Sequence, residues 1–228
     1  MADERRVLLI TGAGSGIGAA TARRAVADGL RVVLAGRTAS TLEALADELG
    51  GPERAATVVA DVREWEGNVA AVDAAVSRFG RLDVAFANAG VHGAPGWTAD
   101  TPEHWRDMVL TNVLGPALTL RAALPALIEA RGHAVVMSSA AGRRVLPSLY
   151  SVTRWATAAM GEAVRQDVGG SGVRVTVVEP GGVNTPLWDE VNPGRLEADD
   201  VARAVMYAIS QPPHVDVNEV LIRPAGAP

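Results

Sequence analysis

Two side chains in the segment "YSVTR" could carry proton chemistry. Tyr150 supplies a phenol and Arg154 a permanent cation four residues on. On a helix this spacing puts both on one face, with Cβ atoms roughly 5–6 Å apart. A unit positive charge about 4 Å from a phenol favours its ionised form by roughly 4 kcal/mol at an effective dielectric near 20. Such a phenol is poised to give or take a proton near neutral pH. A surface contact between helical neighbours would leave the same spacing. Just upstream, "SSAAG" ends an apolar run and offers a serine hydroxyl that could donate to a substrate oxygen or merely cap the next segment. The cation is informative in another way. All 21 Lys+Arg residues are arginine, so a chain-wide preference explains how arginine came to this position without saying whether it works there.

A second group of residues suits a nucleotide. "TGAGSGIG", Thr11 to Gly18, follows an apolar run and opens a helical pattern. Glycines in such a turn let the backbone approach a pyrophosphate, and the helix N-terminus offers N–H donors and partial positive charge. The next apolar run ends at Gly36 and Arg37. An acid is usual there for a ribose 2′-hydroxyl. An arginine instead can fork onto a 2′-phosphate, which points to NADP(H) over NAD(H), the alternative being a solvated loop arginine. Asp61, beside Val62, could accept from an adenine amino group or cap the helix starting near Glu64. In "FANAG", Asn88 can tie neighbouring strand ends while Ala89 and Gly90 let the backbone pass close to a ribose. In "EPGGVNTPL", Pro180 and Gly181 make a rigid turn, and Val183 and Thr185 could fix a carboxamide.

These motifs all follow short apolar runs, at 7–10, 31–36, 55–60, 82–87, 133–138, 173–179 and 219–222. The runs are continuous rather than alternating, as in strands buried on both faces. Helical patterns separate them at 16–28, 41–49, 64–79, 102–130, 148–169 and 197–210. The alternation predicts an α/β fold: one Rossmann-type, doubly wound parallel sheet of seven strands with helices on both faces, spanning 1–228 as one domain. Ligands in such sheets sit beyond the carboxyl ends of the strands, where the motifs lie.

Composition narrows the class. A net charge of −5 argues against a nucleic-acid or anionic-membrane partner. The absence of cysteine excludes disulfides and thiolate metal sites, and no metal site is expected. The charged N-terminus does not read as a leader and no apolar run is read as a membrane span, so a cytoplasmic location is expected.

In order and spacing, "TGAGSGIG", "DV", "NAG", Asn112, Ser139, Tyr150 and "PGGVNTP" resemble the short-chain dehydrogenase/reductase family over nearly the whole chain. The resemblance implies hydride transfer between a nicotinamide and a carbonyl or alcohol carbon. It implies Tyr150 as general acid/base, Ser139 as the group polarising the substrate oxygen, and Asn112 as the holder of a water in the proton relay. Gly12, Ser15, Gly16, Ile17 and Gly18 would bind the cofactor together with the motifs above. Arg154 departs from the family, which has lysine there. Arginine can hold ribose hydroxyls and bring positive charge, but it scarcely releases a proton. Cofactor binding should therefore persist, with catalysis slower or limited to substrates for which direct proton exchange with solvent suffices. His92, Leu146, Trp155, Leu187 and Trp188 are expected around an apolar, aromatic-sided small-molecule substrate. A homodimer or homotetramer through 102–130 and 148–169 is implied by the same resemblance. The rivals are a non-catalytic dinucleotide-binding protein, and a C=N reductase or epimerase on the same scaffold.

Overall fold

The computed structural model describes residues 5–187 and 191–226. Its strands are β1 (Val7–Thr11), β2 (Arg31–Gly36), β3 (Ala55–Val59), β4 (Val84–Ala87), β5 (His133–Met137), β6 (Arg174–Pro180), β7 (Val183–Asn184), β8 (Leu196–Glu197) and β9 (Glu219–Ile222). Seven of them form one parallel sheet in the order β3-β2-β1-β4-β5-β6-β9. The two-residue β7 and β8 pair separately, an element too short to register in the apolar pattern. The helices are α1 (Gly16–Ala27), α2 (Ala39–Glu48), α3 (Trp65–Phe79), α4 (Pro102–Val109), α5 (Gly115–Ala130), α6 (Leu149–Asp167) and α7 (Ala198–Ser210).

The period of two along each strand divides the core. Leu8, Ile10, Val32 and Leu34 face α1, α2 and α7, whereas Leu9, Val33, Ala85 and Val136 face α3 and α5. Both sets are wholly or almost wholly buried, which is why the strands read as unbroken apolar runs. An Arg24–Asp199 fork at 2.6 and 2.5 Å ties α1 to α7. Strand order reverses between β1 and β4, opening a crevice at their carboxyl ends.

One predicted element differs. The continuous helix expected over 102–130 contains a π turn at Leu110–Leu114. Gly115 N–H donates to the Leu110 carbonyl, five residues back. Pro116 has no N–H, so the Asn112 carbonyl lacks its usual helical donor. The widened turn follows from that missing donor and lies against the candidate site. By length and composition alone this 29-residue stretch is long and apolar enough to cross a membrane, a test that a core helix also passes. Here Leu120, Ala123 and Leu127 are buried against the sheet, the mark of a core helix.

Candidate active site

The crevice holds a cavity of about 1300 Å³ lined from every strand end that the sequence motifs mark. The glycine turn forms its floor. Gly12 and Gly16 adopt φ of 65° and 51°, which favour glycine. A Cβ on Gly18 would lie 2.4 Å from the Gly12 carbonyl, so Gly18 supports the turn from beneath and is not itself on the cavity wall. Thr11 Oγ1 accepts from the backbone N–H groups of Asn88 (3.0 Å) and Ala89 (3.1 Å). Asn88 Nδ2 donates back to the Thr11 carbonyl at 2.9 Å. These reciprocal bonds lock the β1 and β4 ends together and set the crevice width.

Tyr150 and Arg154 both line this cavity from the first turns of α6, whose N-cap Ser148 accepts from Ser151 N–H at 3.3 Å. Arg154 is only 4% exposed, and its Cζ lies 4.8 Å from the Tyr150 ring centroid. Its Nη1 donates to the Met137 carbonyl at a long 3.3 Å, and its Nε is buried without an acceptor. A Cβ on Gly90 would lie 2.7 Å from Nη2, so Gly90 makes room for the guanidinium. The cation is therefore built into the wall of the cavity, not solvated outside it. The His92 ring lies 4.6 Å from the Tyr150 ring, tilted by 38°. Burial, and then the charges of Arg154, Arg195 and His104, hold its pKa below the ordinary value, which favours the neutral ring.

The two adjacent serines separate clearly. Ser138 is buried and occupied, donating to the Arg154 carbonyl at 2.8 Å and accepting from Thr157 Oγ1 at 3.1 Å. Ser139 fronts the cavity with a weaker 3.3 Å bond to the Pro180 carbonyl. Asn112 is wholly buried and not on the wall. Its side chain accepts from Val91 N–H (2.8 Å) and donates to the Val91 carbonyl (2.9 Å) and Thr153 Oγ1 (3.2 Å). Thus its amide shapes the strand-end loop carrying Val91 and His92, a part the sequence did not disclose because Val91 lies on another element.

The short Ser139–Tyr150 loop is pinned from inside. Ser151 Oγ donates to the Ala141 carbonyl at 2.8 Å and accepts from Leu146 N–H at 3.1 Å. Arg143 bonds the wholly buried Glu179 at 2.6 Å and also pairs with Glu219, stapling the loop to β6 and β9. Burial raises the Glu179 pKa against the opposing pull of Arg143. Arg144 of this loop, and Arg195 and Arg223 beyond it, join the lining, none of them singled out from sequence because arginine is common throughout the chain.

At the other end lies Arg37, exposed and on the wall. Asp61 is gripped by the Arg63 fork at 2.6–3.0 Å and accepts Arg63 N–H at 3.0 Å. That fork, with smaller help from Arg37, holds its carboxyl below the usual range. Glu64 is the N-cap of α3, so the capping role considered for Asp61 does not hold. Val62, Ala89, Gly90, Pro180, Gly181, Val183 and Thr185 all reach the cavity, as do Ser15, Ile17, Leu146 and Leu187. Thr185 sits over Gly16, where a Cβ would come within 3.2 Å of it. Trp155 does not reach the cavity and is 44% exposed on the far side of α6. Trp188 lies outside the described residues.

The residues present fit a dinucleotide. The cavity exceeds the roughly 300–1,000 Å³ of pockets for drug-sized ligands, leaving room for a second, smaller molecule. The glycine turn opens a helix N-terminus onto it, and Arg154 keeps donors that an acceptor-rich ribose would use.

The short chain dehydrogenase family model matches residues 6–196. An uncharacterized oxidoreductase of Staphylococcus saprophyticus is 34% identical over 227 residues, 96% of this chain and 97% of that protein. An alcohol dehydrogenase from Thermococcus sibiricus, complexed with 5-hydroxy-NADP, superposes with a TM-score of 0.91 at 30% identity over 99% of both chains. A 3-ketoacyl-(acyl-carrier-protein) reductase from Brucella melitensis, complexed with NADH, gives 0.88 at 30% identity, covering 96% of this chain and 97% of that one.

Proposed function

Because the chain belongs to the short-chain dehydrogenase family of oxidoreductases, we propose that it is an NADP(H)-dependent carbonyl reductase, reversible as an alcohol dehydrogenase. The observation that carries this reading is the buried Arg154 guanidinium beside the Tyr150 ring, in one cavity with Ser139 and the glycine turn. The nicotinamide, when bound, supplies or accepts the hydride at the carbonyl carbon. Ser139 Oγ donates to the carbonyl oxygen and draws charge onto it. Tyr150 gives that oxygen its proton, and the Arg154 cation stabilises the phenolate left behind. Arg154, Asn88, Ala89 and Gly90 hold the ribose side, and Val183 and Thr185 fix the carboxamide. Asn112 keeps the Val91–His92 backbone in place, and its own carbonyl, which Pro116 cannot bond, would serve as an acceptor for relay water.

Preference for NADP(H) rests on Arg37 and the absence of an acid at the β2 end. At the substrate end, Leu146 and Leu187 form apolar walls while Arg144, Arg195 and Arg223 bring positive charge. This mixture suits a carbonyl compound with an apolar body and an anionic group. The presence of Ser139, Tyr150 and a buried cation together disfavours the non-catalytic reading.

The test is nucleotide oxidation with NADPH and NADH over neutral ketones, aldehydes and oxo acids. Turnover with NADPH, highest for oxo acids, is expected. Tight NADPH binding with no turnover on any member would refute the enzyme assignment, and faster turnover with NADH would refute the cofactor preference.

A further inference from the structure

Arg154 poses a problem that the site must solve. A phenol that has given up its proton must be reprotonated before the next turnover, and a guanidinium hardly releases one. We propose that His92 is the proton-relay residue of this site, exchanging protons between the Tyr150 phenol and solvent through cavity water. The inference rests on the carbonyl-reductase reading and adds a catalytic residue to it.

Three observations converge. His92 and Tyr150 are in ring contact at 4.6 Å, and both line the cavity. Asn112 grips both backbone groups of Val91, the residue immediately before His92, and so fixes the loop that presents the imidazole. His92 is half-buried, hence able to reach solvent on one side and the phenol on the other. An imidazole has one nitrogen that donates and one that accepts, so a neutral ring can pass a proton in at one side and out at the other. The groups facing it favour this neutral form: Arg154 and Arg195 are cations, and His104 is itself paired with Asp100 at 2.7 Å.

Every proton in the cycle has a source and a destination. When the carbonyl carbon gains hydride, the Tyr150 O–H bond breaks and an O–H bond forms on the substrate. The phenolate then takes a proton from water hydrogen-bonded to His92. That water is restored by the imidazole N–H, and the second ring nitrogen takes a proton from solvent. Return of the ring to its first tautomer completes the cycle. No oxidant or reductant beyond the nucleotide is consumed.

The experiment compares His92→Ala and His92→Gln with the parent, each also in an Arg154→Lys background. NADPH affinity is read separately by protein fluorescence. In the parent background kcat is expected to fall about tenfold or more. NADPH affinity should change less than about twofold, and millimolar imidazole should restore kcat in proportion to its concentration. In the Arg154→Lys background, where an amine can exchange a proton, the His92→Ala penalty should shrink several-fold. Equal losses in both backgrounds, insensitive to imidazole and expressed in KM, would overturn the relay and leave His92 a substrate contact, with the reductase reading intact. A parent that binds NADPH yet reduces nothing would overturn reaction and relay together. Loss in His92→Ala but not in His92→Gln also overturns it, since glutamine fills the space without relaying a proton.

Discussion

At the residue scale the candidate site is built around a buried cation, Arg154, that lies beside a phenol. Arg154 donates to the Met137 carbonyl, lies against Gly90, which leaves room for it, and has its Cζ over the Tyr150 ring, beside which the proposed phenolate would form. Arg154→Ala is expected to weaken NADPH binding roughly tenfold or more, the worth of a charged hydrogen bond, measurable by fluorescence titration. Arg37→Asp should reverse the NADPH/NADH preference, because a carboxylate repels a 2′-phosphate and accepts from a hydroxyl. The Tyr–Arg spacing and the Ser139 position were legible in sequence, the first from its i,i+4 helical offset and the second from its place at the end of the β5 run. The Asn112–Val91 clamp, the His92–Tyr150 contact and the Arg63–Asp61 fork were not. The first two join residues from different elements, and in the third nothing in the sequence gave the fork's direction.

At the element scale, β1 with its turn and β5 with β6 carry separate demands. Gly18→Ala drives a methyl into the Gly12 carbonyl, a backbone group that cannot swing aside as a side chain could. It should abolish nucleotide binding and lower stability, read by titration and thermal melting. Between β5 and β6, Thr176 Oγ1 donates to the Val217 carbonyl at 2.6 Å and so accepts from His133 Nε2 at 2.7 Å. His133 is buried beside Arg174 and Arg6, and burial first, then those charges, pushes its pKa down to about 3. The unfolded chain takes up this proton near the ordinary histidine value, the folded chain only near 3. Stability should therefore fall as pH drops from about 6.5, by roughly 2 kcal/mol at about pH 5. Urea unfolding at neutral and mildly acidic pH checks this, and His133→Asn should flatten the difference. The strand and helix positions were legible to within a few residues because burial on both faces leaves continuous apolar runs. The π turn was not, because helical periodicity ignores the donor that Pro116 lacks.

At the scale of the whole molecule, the doubly wound sheet gathers every motif at one edge, as parallel topology requires. A groove of about 600 Å³ between α5 and α6 is lined by Leu124, Ile128, Met160 and Val164, with Ile128 46% exposed. We propose that a second copy of the chain covers these helices, as the family resemblance implied. Light scattering should give at least a dimer, and Ile128→Arg should shift it toward monomer; a monomeric parent would contradict this. The apolar character of α5 was visible in sequence, whereas the outward face of Trp155 was not, because helical pitch alone does not say which aromatic meets the cleft.

The most direct test is the single-turnover rate of NADPH oxidation by Tyr150→Phe against the parent, on whichever carbonyl the parent reduces fastest. A loss of about 100-fold or more, with NADPH affinity unchanged, is the predicted result. A rate within about twofold of the parent would contradict the assignment of Tyr150 as the proton donor.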